Sequence, residues 1–215
     1  ITVEATKSAK ASAKAETIAL SSGVPVVIPD SLSFGGTYSS NTLLGDTKAY
    51  VTLGSTLETT VAGDIAVSAR DESAADSRSG ASATAQTASV SLDGVGGSVG
   101  ASIAFNAIGW DTGAGFMTLD ALLGTGLGTE STNEVQAYVT DSDVDSADDV
   151  SISAEAATLI NATVSNAAET TASSLFGSSG SATSAVVASN KISISSEAFI
   201  ADQVDGGTTE VDAGG

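Results

Sequence analysis

The chain has 215 residues, a formal net charge of −19, and neither cysteine nor histidine. Without these two residue types it has no thiol nucleophile, disulfide, Cys/His zinc site, Ser-His-Asp triad or imidazole acid–base group. Phosphate binding needs clusters of Lys and Arg, and the chain has 7 basic residues against 26 acidic ones. The composition therefore argues against nucleic acid and anionic membrane surfaces as partners.

Apolar residues make up 41% of the chain but aromatic residues only 4%, so small side chains supply much of the apolar fraction. A globular core filled with Leu and Phe is not expected from this composition. The sequence instead predicts a thin core lined by Ala, Val and Ile, in a fold stabilised mainly by backbone pairing. No apolar run reaches the length of a transmembrane helix, so we expect no membrane insertion in this segment.

The chain is predicted to be a single segment that contains three copies of one pattern, at 1–64, 65–149 and 150–214. Similar five-residue stretches open the copies at 1–5, 65–69 and 150–154. Each copy then has a marker asparagine (Asn41, Asn106 and Asn190) and an aromatic residue between Ala and an aliphatic residue (Tyr50, Tyr138 and Phe199). This periodicity predicts a repeat architecture, and we expect the chain to be part of a longer tandem array.

The stretches that open the repeats alternate between apolar and polar residues. From Val150 to Val164 every second residue is almost always apolar, while the residues between are mostly polar, and 1–16 behaves in the same way. A period of two predicts strands, because a helix would scatter these residues around its axis. Fifteen residues exceed a usual strand, so we expect each stretch to bend at a corner and continue.

Glycine-rich segments such as Gly35-Gly36 are typical of turns, and they divide each repeat into about three coils of roughly 20 residues. Tandem repetition without closure favours an all-β parallel solenoid, or β-helix, over a sandwich or barrel. Since stacked strands lie about 4.8 Å apart, some ten coils would form a rod of roughly 50 Å.

The marker residues are interpreted as structural repeat positions. An asparagine at a coil corner can adopt the left-handed backbone conformation and bond to the local main chain; contact with a ligand is the alternative for Asn41, Asn106 and Asn190. The aromatic set is interpreted as structural because its place in the repeat is fixed.

The second repeat departs most from the pattern, with an insertion of about 23 residues at about 109–131. Insertions in solenoids often form the binding face, so its large side chains are candidate partner contacts: Trp110, Phe116, Met117, Leu119, Leu122 and Leu123. The alternative is that this segment folds back and covers the flank of the solenoid.

An acidic run at 141–149 offers candidate ligands for calcium: Asp141, Asp143, Asp145, Asp148 and Asp149. Alternate carboxylates suit a hard cation, although the run does not fit an EF-hand, and a solvated acidic turn is the alternative. No other cofactor is expected. Lys7, Lys10 and Lys14 give the first repeat a basic stretch that could match acidic neighbours in a stacked array; simple variation on a solvated face is the alternative.

The segment 137–139, the segment 149–154 and Asn190, set among Ala, Gly and Ser, resemble the repeats of large bacterial surface adhesins of the filamentous-haemagglutinin-like and autotransporter-passenger-like kind. The resemblance implies a right-handed parallel β-helix, an extracellular or cell-surface location, and a role in adhesion, matrix or filament formation. It supplies no catalytic residues. The partners expected are neighbouring copies or repeats stacked end to end, and a glycan or surface protein in addition.

Three functions follow, in order of preference. The first is a non-catalytic structural segment of a fibrous surface protein, and the second is a glycan- or protein-receptor module that uses the 109–131 insertion. The third, remote alternative is a polysaccharide-active β-helix enzyme, for which Arg70 and Arg78 lie near three carboxylates: Asp71, Glu72 and Asp76. Such enzymes need clustered carboxylates with basic residues that stabilise developing charge.

Overall fold

The computed structural model describes residues 1–23, 30–89, 94–111, 129–174, 178–202 and 208–214. This part of the chain is all-β, with seventeen strands and no helix. No membrane-crossing helix of sufficient length and apolar character is therefore found in these ranges.

The strands follow the repeats. The first repeat forms β1 (Thr2–Lys7), β2 (Lys10–Gly23), β3 (Asp30–Leu43), β4 (Thr47–Val51) and β5 (Thr56–Glu58). The second forms β6 (Ile65–Asp71), β7 (Ala74–Ser89), β8 (Gly94–Ile108), β9 (Trp110–Asp111), β10 (Thr129–Glu130), β11 (Asn133–Thr140) and β12 (Asp143–Ser146). The third forms β13 (Val150–Ala156), β14 (Leu159–Ser174), β15 (Ser178–Ile192), β16 (Ile194–Ala201) and β17 (Glu210–Ala213).

Five three-stranded parallel sheets contain one strand from each repeat. Their orders are β1-β6-β13, β2-β7-β14, β3-β8-β15, β4-β11-β16 and β5-β12-β17. We call the five strands that one repeat contributes to these sheets a level. The strand of the second level lies in the middle of each of these five sheets, so among the described residues only this level has neighbours on both sides.

The prediction of about three coils in each repeat is wrong, because each repeat forms a single level. The register pairs Val3 with Val67 and Val67 with Ile152, so equivalent residues of successive repeats lie side by side. Three levels place the outer strands of a sheet about 10 Å apart, not at the ends of a rod of roughly 50 Å.

The coil count was wrong because Gly35-Gly36 does not form a turn. Both residues lie inside β3. A Cβ atom on Gly35 would lie 3.0 Å from the carbonyl oxygen of Ser82 and 3.4 Å from the Cβ of Ala83. This glycine therefore allows β3 to approach β7 closely, and the strand continues for 14 residues.

The alternation of apolar and polar residues does predict the strands that open the repeats, and their length predicts a bend. In β6, Ile65, Val67 and Ala69 are buried, while Ala66 and Ser68 are only partly covered. The long stretch from Val150 divides into β13 and β14 at residues 157–158. The predicted bend in this stretch is confirmed.

Two kinds of interior lie between the sheets. An apolar core joins the sheets of β6, β11 and β12, and it includes Val67, Val139 and Val144. The long sheets of β7 and β8 pack through small residues instead, and their hydroxyl groups meet in pairs: the oxygens of Ser39 and Ser77 lie 2.7 Å apart. Small residues let two sheets approach closely, which explains how so few aromatic residues are needed.

Candidate functional site

The three marker asparagines form a ladder across the levels. The register aligns Asn41, Asn106 and Asn190. The Nδ2 of Asn41 donates to the Oδ1 of Asn106, and the Nδ2 of Asn106 donates to the Oδ1 of Asn190, both at 3.0 Å. The amides also donate to main chain, at 2.7 Å to the carbonyl of Asp76 and at 2.6 Å to that of Asn161.

The prediction that these asparagines occupy corners is wrong. They lie inside β3, β8 and β15, where their amides join neighbouring levels and the two long sheets. Among the described non-glycine residues, positive φ angles occur at Leu53 and Asp141, with values of 60° and 47°. These two residues follow β4 and β11, so the left-handed corner conformation belongs to them.

The aromatic markers form a second ladder. Tyr50 stacks on Tyr138 with ring centroids 5.3 Å apart, and Tyr138 stacks on Phe199 at 5.0 Å. The ring planes are within 10° of parallel. The neighbours of Tyr50 in β4, Ala49 and Val51, are buried, so the ring of Tyr50 is on the opposite, outer face of its sheet. Stacked rings on one face stabilise the pairing of successive levels.

The insertion leaves and rejoins the second level through a short antiparallel pair. Trp110 of β9 pairs with Glu130 of β10, and Asp111 pairs with Thr129. Gly109 precedes this pair with a φ of 71°, and a Cβ atom there would lie 1.9 Å from the carbonyl oxygen of Ser193. This position therefore requires glycine both for its conformation and for the close approach of the third level.

The side chain of Trp110 packs against other residues of this chain. It packs against Phe105 and Ala107, which are fully buried, and the Nζ of Lys191 lies 3.5 Å from the centre of its ring. A cation above an indole ring is a favourable contact. This packing favours a structural role for Trp110 over a partner contact. The other five candidates, Phe116, Met117, Leu119, Leu122 and Leu123, lie outside the described residues.

The acidic run does not converge on one point. Asp141 is buried, Asp143 and Asp145 are exposed residues of β12, and the Oδ2 of Asp148 accepts from the backbone N–H of Gly63 at 2.6 Å. The backbone N–H of Asp149 donates to Asp64 at 3.2 Å. In the ranges that the structure covers, no three Asp or Glu side chains are grouped so that they could hold a metal ion.

Carboxylates do align across the levels. The register pairs Asp145 with Glu58 on one side and with Asp212 on the other. We call Glu58, Asp145 and Asp212 the acidic row. All three side chains are exposed, and like charges that face each other across paired strands are destabilising.

The residues of the remote enzyme alternative form ion pairs that are separate from one another. Arg70 contacts Glu72 at 2.6 Å and Glu155 at 3.2 Å, and Arg78 contacts Asp76 at 3.1 Å. Asp71 is fully buried, where it accepts from Lys7 at 3.2 Å and from the N–H of Ser73 at 2.9 Å. Glu72 and Asp76 thus lie in ion pairs at the sheet surface, and Asp71 lies at a buried corner.

A charged cluster joins the first and second levels through residues that are far apart in the sequence. The Nζ of Lys48 binds the carboxylate of Glu134 in the next level and lies 3.4 Å from Asp46. The hydrogen bond that the Nζ of Lys48 donates to the carboxylate of Glu134 raises the pKa of Lys48 above its usual 10.5, against a smaller opposing effect of burial. Gln136 of the second level is the register partner of Lys48, and its side chain donates to Glu197 of the third level at 3.2 Å. The signal for this cluster appears only once the repeats are aligned.

The end of the third level has an open apolar groove of about 400 Å³. Seven residues line it: Val150, Ile152, Ala198, Phe199, Ile200, Val211 and Ala213. Ile200 is 49% exposed, whereas Val139, its partner in the second level, is 0% exposed. The groove is therefore the continuation of the apolar core, and no pattern in the sequence indicates it.

No protein-family model, curated protein or solved structure matches this chain. The geometry of the repeats is accordingly the basis for a functional conclusion.

Proposed function

We propose that this chain is a β-solenoid segment that extends a secreted or cell-surface fibrous protein and has a structural, non-catalytic role. One observation carries the proposal: each repeat adds one strand to each of five parallel sheets, with equivalent residues in register. Such a unit contacts only its neighbours along one axis, so further repeats lengthen the molecule without changing its cross-section.

In this proposal each level is one coil of the solenoid. A connection that returns to the next parallel strand of the same sheet is right-handed in nearly all proteins, which favours a right-handed coil. The asparagine and aromatic ladders support the proposal because they run along the stacking axis and each added level would extend them.

The surface location is supported by the resemblance of the repeats to those of bacterial surface adhesins. The composition agrees with this assignment, since a chain without cysteine needs no oxidation step after export. Its net charge of −19 favours solubility through mutual repulsion.

The test is to append twelve further copies of residues 150–214 and to measure the particles by electron microscopy. One coil per repeat should lengthen the particle by roughly 60 Å along one axis, at a constant width. As a control, Ile152→Lys in every appended copy places a charge in the apolar core and should prevent regular stacking. A particle that grows in all directions, or that forms separate beads, would overturn the proposal.

A further inference from the structure

We propose that Tyr50 and Tyr138 form a site of oxidative cross-linking, at which hydrogen peroxide and a peroxidase join the two side chains into one dityrosine. The new bond would link the first level to the second covalently. This inference goes beyond the structural role proposed above, because it assigns a chemical modification. It rests on a contact between two neighbouring levels inside the chain.

The two rings are held side by side by the pairing of their strands. Tyr50 of β4 and Tyr138 of β11 are register partners, and paired strands lie about 4.8 Å apart. The ring centroids are 5.3 Å apart and the ring planes differ by 10°. Groups that a protein holds next to each other react as if they were present at very high concentration. The fold therefore supplies the proximity that the coupling of two tyrosines requires.

The reactive ends of both rings point away from the core. Ala49 and Val51 are buried on the inner face of β4, and Ala137 and Val139 are buried on the inner face of β11, so the hydroxyl groups of the tyrosines between them lie on the outer face. Tyr138 has a paired strand on either side and is still only partly buried. An oxidant therefore reaches the rings from the side of the stack, whether or not further levels cover its ends.

The step balances with hydrogen peroxide as the oxidant. Each phenol loses one electron and one proton to the peroxidase, which leaves a phenoxyl radical whose unpaired electron is shared with the ring carbons next to the C–O carbon. One such carbon of Tyr50 joins one of Tyr138 in a new carbon–carbon bond. A proton then moves from each bonded carbon to its phenolic oxygen and restores the aromatic ring. The two electrons and two protons removed convert one hydrogen peroxide into two water molecules.

The sequence directs oxidation to this pair. It has no cysteine, whose thiol would reduce a tyrosyl radical, and it has three tyrosines. The third one, Tyr38, lies in β3 opposite Ile103 of the second level, so its register partner cannot couple with it. Phe199 stacks on Tyr138 at 5.0 Å but has no hydroxyl group from which to form a phenoxyl radical. The aromatic ladder therefore allows one cross-link, between the first and second levels.

The cross-link should stabilise the contact between these two levels. A covalent bond between distant positions of a chain reduces the freedom of the unfolded state. The cross-linked monomer should therefore melt roughly 10 °C above the untreated chain, as measured by circular dichroism. An unchanged melting temperature would overturn this stabilising role.

Three single substitutions test the position of the cross-link. The unmodified chain, Tyr50→Phe, Tyr138→Phe and Tyr38→Phe are each treated with hydrogen peroxide and a haem peroxidase at low protein concentration. Dityrosine is measured by its fluorescence, and mass spectrometry of the monomer detects the loss of two hydrogen atoms. Tyr50→Phe and Tyr138→Phe should each lower the fluorescence by about tenfold or more, whereas Tyr38→Phe should leave it unchanged. Phenylalanine keeps the stacked ring, and circular dichroism verifies that each variant retains its strands.

A rescue variant tests the stacked geometry itself. Tyr50→Phe combined with Phe199→Tyr moves the pair of tyrosines from the first and second levels to the second and third. Because ring 199 stacks on Tyr138 with planes 7° apart, this double variant should recover the cross-link within the monomer.

The outcomes separate this proposal from the proposed function. A cross-link within the monomer that both single ladder variants lose and the double variant recovers supports the proposal. An unmodified monomer without dityrosine, dityrosine found only between chains, or a double variant that does not recover overturns it. None of these results affects the proposed solenoid, which is overturned instead if appended repeats fail to lengthen the particle.

Discussion

Asn106 has a buried polar side chain whose hydrogen bonds all lie along or between the sheets. It is fully buried, its Oδ1 accepts from Asn41, and its Nδ2 donates to Asn190 and to the carbonyl of Asn161. A buried amide is costly unless it is bonded, and a bonded one fixes a single arrangement of its neighbours. The asparagine ladder therefore contributes to register as well as to stability.

We expect Asn106→Ala to lower the free energy of unfolding by about 2 kcal/mol, since it removes three hydrogen bonds and leaves buried partners unsatisfied. Asn190→Ala is the matched control, because Asn190 is exposed at the end of the same ladder and its loss should cost less than about 1 kcal/mol. Urea unfolding followed by circular dichroism measures both values. Equal losses would show that the contribution of an asparagine in the ladder to the free energy of unfolding does not depend on its burial.

Between neighbouring elements, Lys48 of β4 binds Glu134 of β11, and this contact depends on pH. The pKa of Lys48 is raised in the folded state. The stabilisation from this contact is therefore fully present below pH 10.5 and is lost as the pH rises through the raised value. Lys48→Met should therefore lower stability at pH 9 by about 1 kcal/mol or less, and the difference should close at higher pH.

Lys14→Met is the control for this measurement. Lys14 contacts Glu16 at 3.0 Å within one strand, and both side chains are about two-thirds exposed. Such a pair contributes little to stability, so the variant should match the unmodified chain at both pH values. A Lys48→Met difference that persists unchanged at high pH would show that packing, not charge, produces it.

The acidic row in β5, β12 and β17 is expected to lower stability, whereas the Lys48–Glu134 contact raises it. Asp145→Asn should raise the free energy of unfolding by about 0.5 kcal/mol at low salt, because Asp145 faces Glu58 and Asp212 and like charges in paired strands repel. The gain should disappear in 1 M salt, where the Debye length is about 3 Å.

Glu169→Gln is the matched control for the acidic row, because Glu169 is exposed and faces Thr84 in the neighbouring strand. It should change stability little at either salt concentration. A loss of stability in Asp145→Asn would contradict the repulsion and would indicate that the row binds a cation. Unfolding with and without added calcium would then identify that cation.

The elements were predictable from sequence where a side-chain period determined them. Alternation predicted strand structure from Val150 to Val164, because burial on one face of a strand selects every second residue. The length of this stretch predicted a bend but not its position at 157–158. The strand lengths were not predictable from glycine content. Gly35 allows close packing against β7, and this requirement comes from a strand of another sheet, which the local sequence around Gly35 does not show. The Lys48–Glu134 contact was equally hidden, since these residues are 86 positions apart in the chain. The calcium and receptor interpretations remain predictions.

At the scale of the whole molecule, the 215-residue chain taken by itself should show stability that is graded from the middle level outwards. Each strand of the second level has a partner on both sides, whereas strands of the first and third levels have one in the described part of the chain. In a stacked array, stability is approximately a sum of the stability of each unit and its contacts with nearest neighbours. The outer levels are therefore expected to open locally at lower free energy than the second level.

Amide hydrogen exchange measured by mass spectrometry checks this gradient. At low protein concentration, peptides from β6, β7 and β11 should exchange more slowly than their register partners in the outer levels, because both edges of these strands are hydrogen-bonded. Equal exchange in all three levels at low concentration would contradict the gradient, since it would mean that the chain opens as one cooperative unit.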